Sequence, residues 1–150
     1  MDAIELLKRD HAAVKKLLGT LEDTTERAVK TRQELYAKLR SEMEVHETIE
    51  EDIFYPALKR HAETTDITLE GYEEHHVVDL VMAELGDVPV DDETWIAKFT
   101  VMKENIEHHI EEEEEEMFPS ARDVIGDELD DLGAQMEARR SELLEASSAS

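Results

Sequence analysis

Apolar residues recur along most of the chain at alternating three- and four-residue steps, the spacing that lines them up on one stripe of an α-helix. In the first segment Ile4, Leu7, Val14, Leu18 and Leu21 mark the stripe, and His11 falls in step between Leu7 and Val14. The pattern predicts a second helix from about Thr31 to about His61, with Leu35, Leu39, His46, Glu50, Ile53 and Ala57 near one face. A third is predicted from near Thr68, carrying Tyr72, His75, Val78, Met82 and Leu85. "GDVPVDDETW" (86–95) then interrupts: Gly86 and Pro89 stop a helix, and Asp91 or Asp92 can cap the next. The fourth helix reads Trp95, Phe99, Met102, Ile106, His109, Glu113, so a histidine and a glutamate lie on its apolar face. Pro119 is expected to close it. Beyond, Leu129, Leu132, Met136 and Leu143 keep helical spacing across a stretch interrupted by Gly133. They predict a fifth helix, laid across the others or against a partner. "SSAS" (147–150) has no core-forming residue and is expected to fray.

Composition narrows the function classes. At 150 residues one domain is expected, and 40 acidic against 16 basic residues give a net charge of −24, which repels nucleic acid phosphates and anionic lipid. With no cysteine, any metal must be held by nitrogen and oxygen. The N-terminus lacks the apolar run of a signal peptide, and no later stretch is apolar enough to span a bilayer, so a cytoplasmic protein is expected.

The strongest signal is an internal repeat. "HETIEEDIFYP" from His46 overlays "HIEEEEEEMFP" from His109, matching Glu50 to Glu113 and Pro56 to Pro119 at an offset of 63. His11 and the apolar residues after it overlay His75 and its successors at an offset of 64. Each half is a histidine, a long gap, then His-x-x-x-Glu, which implies two helical hairpins with matching polar residues meeting in the centre of a bundle. Burying an unpaired carboxylate costs roughly several kcal/mol unless it is paired, protonated or coordinated. Four histidines and two glutamates on inward faces call for a cation, and that donor set suits iron, zinc, manganese and related ions.

His11, "HETIE" (46–50), His75 and "HIEEE" (109–113) together reproduce an H-HxxxE-H-HxxxE pattern, and over roughly residues 1–120 the chain resembles bacterial hemerythrin-like, HHE cation-binding domains. The resemblance implies an all-α, antiparallel up-down four-helix bundle (1–120), here with a C-terminal helical extension (121–146) and a tail (147–150). It further implies a non-haem di-iron centre, two iron ions joined by an oxo or hydroxo bridge, with zinc or manganese as substitutes. The implied ligands are His11, His46, Glu50, His75, His109 and Glu113, the two glutamates bridging. Position 79, four after His75, is aspartate where oxygen-carrier hemerythrins place a further histidine, which argues against reversible dioxygen carriage. The expected function is binding or reduction of small oxygen or nitrogen species in stress response or iron handling, with peroxide disproportionation as the enzymatic form. The alternative is a metal-stabilised or cation-storing bundle without redox turnover. A small diatomic molecule or peroxide is the expected ligand, and 120–146 offers a surface for a protein partner or self-association.

Other residues divide between roles. Tyr55 overlays Phe118; its ring packs the bundle end, or its phenol reaches one iron as ligand or as hydrogen-bond donor. His76 and His108 read as packing groups or as groups that support a ligand, rather than as ligands, and His61 as surface. Of glutamates 111–116 only Glu113 is assigned to the site, the others to a solvated face. Asp10 and Glu74 either orient neighbouring ligands or sit at the rim. Ferritin-like bundles use Glu-x-x-His on two helices, a spacing found here only at Glu73 and His76, off the stripe.

Overall fold

The computed structural model describes residues 1–149. Helix α1 (Ala3–Glu22) starts where Asp2 accepts the Glu5 N–H at 2.8 Å, satisfying a donor that every helix start leaves free. The predicted stripe is buried, joined by Ala3, Leu6 and Leu17. Helix α2 (Val29–Ile49) returns beside α1. It then opens into one wide π-turn, Glu50–Phe54, in which the Tyr55 N–H reaches back to the Glu50 carbonyl, before α3 (Tyr55–Lys59) resumes α-geometry. Helices α4 (Ala62–Gly86) and α5 (Trp95–Glu112) form the second hairpin. Helix α5 passes through the equivalent π-turn, Glu113–Met117, into α6 (Phe118–Ile125). The repeat seen in the sequence is thus a repeat of backbone geometry.

The π-turns correct the expected second and fourth helices. At 3.6 residues per turn, one extra residue rotates everything after it by roughly 100°. Ile53 is consequently only partly buried, and Phe54, Tyr55 and Leu58 face the core. Pro119 does not close the fourth helix, because it and Pro56 sit second in α6 and α3, just past the wide turns. In an unbroken helix each proline would delete a hydrogen bond and crowd the carbonyl four residues back, and the wide turn accommodates both effects.

Three smaller corrections have local causes. The third helix begins at Ala62 rather than Thr68, since Thr64 and Thr68 return their hydroxyls to the carbonyls of Leu58 and Thr64 (both 2.6 Å) and so can be buried. Early in α2 the inward residues are Arg32 and Tyr36, with Leu35 half-buried. Among the described residues no carboxylate pairs with Arg32; it donates to the carbonyls of Thr24 and Val90 and lies over the Trp95 ring at 4.5 Å. Asp92, of the two candidates, takes the Thr94 N–H (2.8 Å) in a turn that leads into α5.

A 3-10 turn at Gly126–Glu128 leads to α7 (Leu129–Ala149), which lies along α1 and α2. Gly133 does not interrupt this helix. A Cβ there would stand 2.4 Å from the Met1 carbonyl oxygen, so the glycine admits the N-terminal backbone against α7. Leu129, Leu132 and Met136 are buried and Leu143 is partly buried. The 147–150 tail is helical as far as Ala149, and its last residue lies outside the described residues. No described helix is long and apolar enough to cross a membrane.

The bundle has two apolar clusters. One gathers Ile4, Leu7, Ile49, Phe54, Leu58, Phe118, Ile125 and Met136. The other gathers Val14, Leu18, Leu39, Val78, Trp95, Phe99 and Ile106. The polar residues singled out by the repeat lie in sequence between members of the two.

Candidate metal centre

All six predicted ligand positions come together in one buried layer, each at most 3% exposed. His11 arrives from α1, His46 from the last turn of α2 and Glu50 from the π-turn after it. His75, His109 and Glu113 arrive in the same way from α4, α5 and the second π-turn. Across the pseudo-twofold, His11 Nε2 lies 3.0 Å from Glu113 Oε1 and His75 Nε2 lies 3.0 Å from Glu50 Oε1. Along the helices, His46 Nε2 is 3.1 Å from Glu50 Oε1, and His109 Nε2 is 3.4 Å from Glu113 Oε1. These i,i+4 pairs are close without being aligned as hydrogen bonds, so His46 Nε2 and His109 Nε2 are buried with no hydrogen-bond partner among the described residues, and Glu50 Oε2 is likewise unpartnered.

The outer nitrogen of every ring is occupied. Nδ1 of His46 meets Asp10 (3.0 Å), of His109 Glu74 (2.7 Å), of His11 Glu114 (2.7 Å) and of His75 Glu51 (2.9 Å). A carboxylate on Nδ1 holds the proton there, turns Nε2 inward and raises its basicity, the arrangement that typically backs metal-binding histidines. Asp10 and Glu74 therefore orient ligand-position rings, and they are themselves a repeat pair, as are Glu51 and Glu114. Helical spacing by itself leaves Glu114 on a solvated face. Its offset of 63 from Glu51 was available as a signal, but glutamate is too abundant there for spacing alone to pick it out.

Charge among the side chains of the layer is self-compensating. Burial opposes protonation of His46, yet the Glu50 charge and the Asp10 hydrogen bond hold its pKa well above the usual imidazole range. Burial likewise opposes protonation of His75, but hydrogen bonds to Glu50 and Glu51 push it up to about 10. For His109, burial is outweighed by the Glu113 charge and by Glu74, and its pKa is raised. Burial would raise Glu50, but the charge of His46 and hydrogen bonds within the layer hold it well below the usual carboxylate range.

Tyr55, turned inward by its π-turn, donates to Glu113 Oε2 at 2.7 Å and stacks on the His75 ring at 5.3 Å. Gly71 makes room for it, since a Cβ there would lie 2.8 Å from the phenol oxygen. Phe118 takes the matching place against His11 (5.7 Å) without a hydroxyl. Asp79 is exposed and faces Glu47, away from the centre. His76 is exposed, His61 is half-buried at the start of α4, and His108 stands at the surface beside Glu74 and Glu112.

The donors fall into two overlapping groups, Glu50, His75, His109 and Glu113, and His11, His46 and Glu113; within each, the ligand atoms lie within 4.8 Å of one another. Inward Nε2 atoms left without partners, a bare carboxylate oxygen and an N/O donor set all fit a bound cation.

Comparison with known proteins agrees. The family model described as "Hemerythrin HHE cation binding domain" matches residues 2–121. Uncharacterised proteins of Mycobacterium tuberculosis and Mycobacterium bovis are each 32% identical over 145 residues, covering 95% of this chain and 88% of theirs. A crystal structure of a hemerythrin HHE cation-binding domain-containing protein from Mycobacterium kansasii matches with a TM-score of 0.85 at 28% identity, covering 95% of this chain and 87% of that one.

Proposed function

The chain belongs to the hemerythrin HHE cation-binding domain family, and from that premise we propose that its buried layer holds two iron ions and acts on small oxygen or nitrogen species, with hydrogen peroxide disproportionation as the enzymatic form. The observation that carries this reading is the pair of donor groups sharing Glu113, each with Nε2 atoms turned inward by an outer carboxylate. His11, His46 and Glu113 would hold one cation, and Glu50, His75, His109 and Glu113 the other. Bound iron supplies one-electron redox steps and open positions for a small ligand. The chain's own residues fix the rings, keep the layer between two apolar clusters, and place the Tyr55 hydroxyl on Glu113. Disproportionation converts two peroxides to one dioxygen and two waters; one peroxide is oxidised as the other is reduced, so no external reductant is required.

The test is elemental analysis of protein purified without chelator or affinity metal, beside its visible spectrum and oxygen release from peroxide. Two irons per chain, a visible charge-transfer band and steady oxygen release are expected. Two irons without turnover would leave a binding protein for a small oxygen or nitrogen species. Zinc or no metal in a fully folded chain that takes up no iron would leave the cation-storage or structural bundle and end the redox reading.

A further inference from the structure

The two halves of the centre match in ligands and in outer carboxylates, but one outer carboxylate has a partner that the repeat does not supply. Asp10 Oδ2, the oxygen that meets His46 Nδ1 at 3.0 Å, also accepts Arg140 Nη2 at 2.5 Å. The chain Arg140, Asp10, His46 runs inward with falling exposure, the side chains being 25%, 12% and 4% exposed. Glu74, the counterpart of Asp10, meets His109 and His108, and among the described residues no lysine or arginine pairs with it.

The placement of Arg140 is built into α7. Leu132, Met136 and Arg140 advance in steps of four, so the arginine stands on the face that the two buried residues turn toward α1. The close approach of Gly133 to the Met1–Ala3 backbone sets α7 against the first turn of the helix that carries Asp10. A cation brought to a carboxylate by a docked helix fixes that carboxylate's orientation, and through it the ring it accepts from.

We infer that Arg140, outside the matched residues 2–121, is a positioning residue for the His11/His46 half of the centre, acting through Asp10. Helix α7 is thereby part of the site's support, and the two cation positions are supported differently. The importance of this for metal binding rests on the two-cation reading above; the link from Arg140 to the His46 ring does not.

The experiment follows the hydrogen-bonded Nδ1–H resonances of histidine in the metal-free full chain by nitrogen-15 NMR, and then titrates the same samples with cobalt(II). Arg140→Met should abolish the His46 Nδ1–H signal through exchange while leaving that of His109. It should weaken one of two cobalt equivalents by about 10- to 100-fold, the range typical of losing a group that supports a ligand. Arg140→Lys should retain both readouts, Asp10→Asn should reproduce the loss, and the Asp10→Asn/Arg140→Met double variant should be no worse than Asp10→Asn alone. Should Arg140→Met fail to fold, Arg140→Gln takes its place. An Arg140 variant with a lowered melting temperature, an intact His46 signal and both cobalt equivalents unchanged overturns the inference, because α7 is then only packing. Fewer than two cobalt ions in the unmodified protein would overturn the two-cation reading instead, and the imidazole signal would still decide the Arg140 link.

Discussion

A single hydroxyl distinguishes Tyr55 from Phe118, two aromatic rings that otherwise pack alike on His75 and His11. That hydroxyl is the one phenolic donor on Glu113, so Tyr55→Phe should cost the metal-free chain about 1.5–3 kcal/mol, as for other buried hydrogen bonds to a charged group. Under the proposed iron loading it should also shift the visible spectrum and the peroxide rate, and no change in either would end any role for the phenol at the centre. Glu47, beside His46 but not in the layer, is 5% exposed. Burial, with a hydrogen bond to Asp79, pushes its pKa up to about 9. The sign follows directly: below the ordinary carboxylate value both folded and unfolded chains carry the proton. Between there and about 9 only the unfolded chain loses it, so Glu47 subtracts stability as pH rises. Metal-free Glu47→Gln should unfold at the same denaturant concentration as the parent near pH 4.5, and at pH 8 should be more stable by at least about 1 kcal/mol.

Whole elements show where reading by periodicity stops working. Up to His46 and His109 a fixed helical step places most of the buried residues, Leu35 excepted, but seven residues after His46 it names Ile53 where the core takes Phe54 and Tyr55. The proline ending each repeat was visible, whereas its effect, a wide turn before it instead of a helix end, depends on what the turn packs against. Gly133 differs from its sequence expectation for a related reason. It reads as a break because glycine is a poor helix former, yet its reason for being there is the N-terminal backbone lying against it. Gly133→Ala should therefore lower stability by about 1–3 kcal/mol despite alanine's better helix propensity, the cost of overpacking, measurable by chemical denaturation. A stabilised variant would mean that the N-terminus moves aside freely.

Taken whole, the molecule places a charged layer between two apolar clusters, an arrangement that a cation should stabilise. Chelation of the loaded protein should lower its melting temperature, and metal should restore it, adding about 4 kcal/mol of stability when free metal stands a thousandfold above its dissociation constant. Because His75 holds its proton up to about 10, uptake at neutral pH must displace protons. Binding should consequently tighten as pH rises, and calorimetry in buffers of different ionisation enthalpy should detect the released protons. A pH-independent affinity would contradict the charge balance drawn for the layer.

What the sequence by itself determined was the helical class, the family resemblance and the six residues that share the central layer. Each follows from spacing within one helix or from the repeat, and the expense of burying histidine and glutamate turns that spacing into chemistry. What only the tertiary structure decided was how the helices are turned toward one another. That rotation brings Glu114 to His11 and Glu51 to His75, sends Asp79 outward, and carries Arg140 to Asp10 across 130 positions of chain. Periodicity describes one helix about its own axis, and the phase between helices is set by packing that no single segment contains.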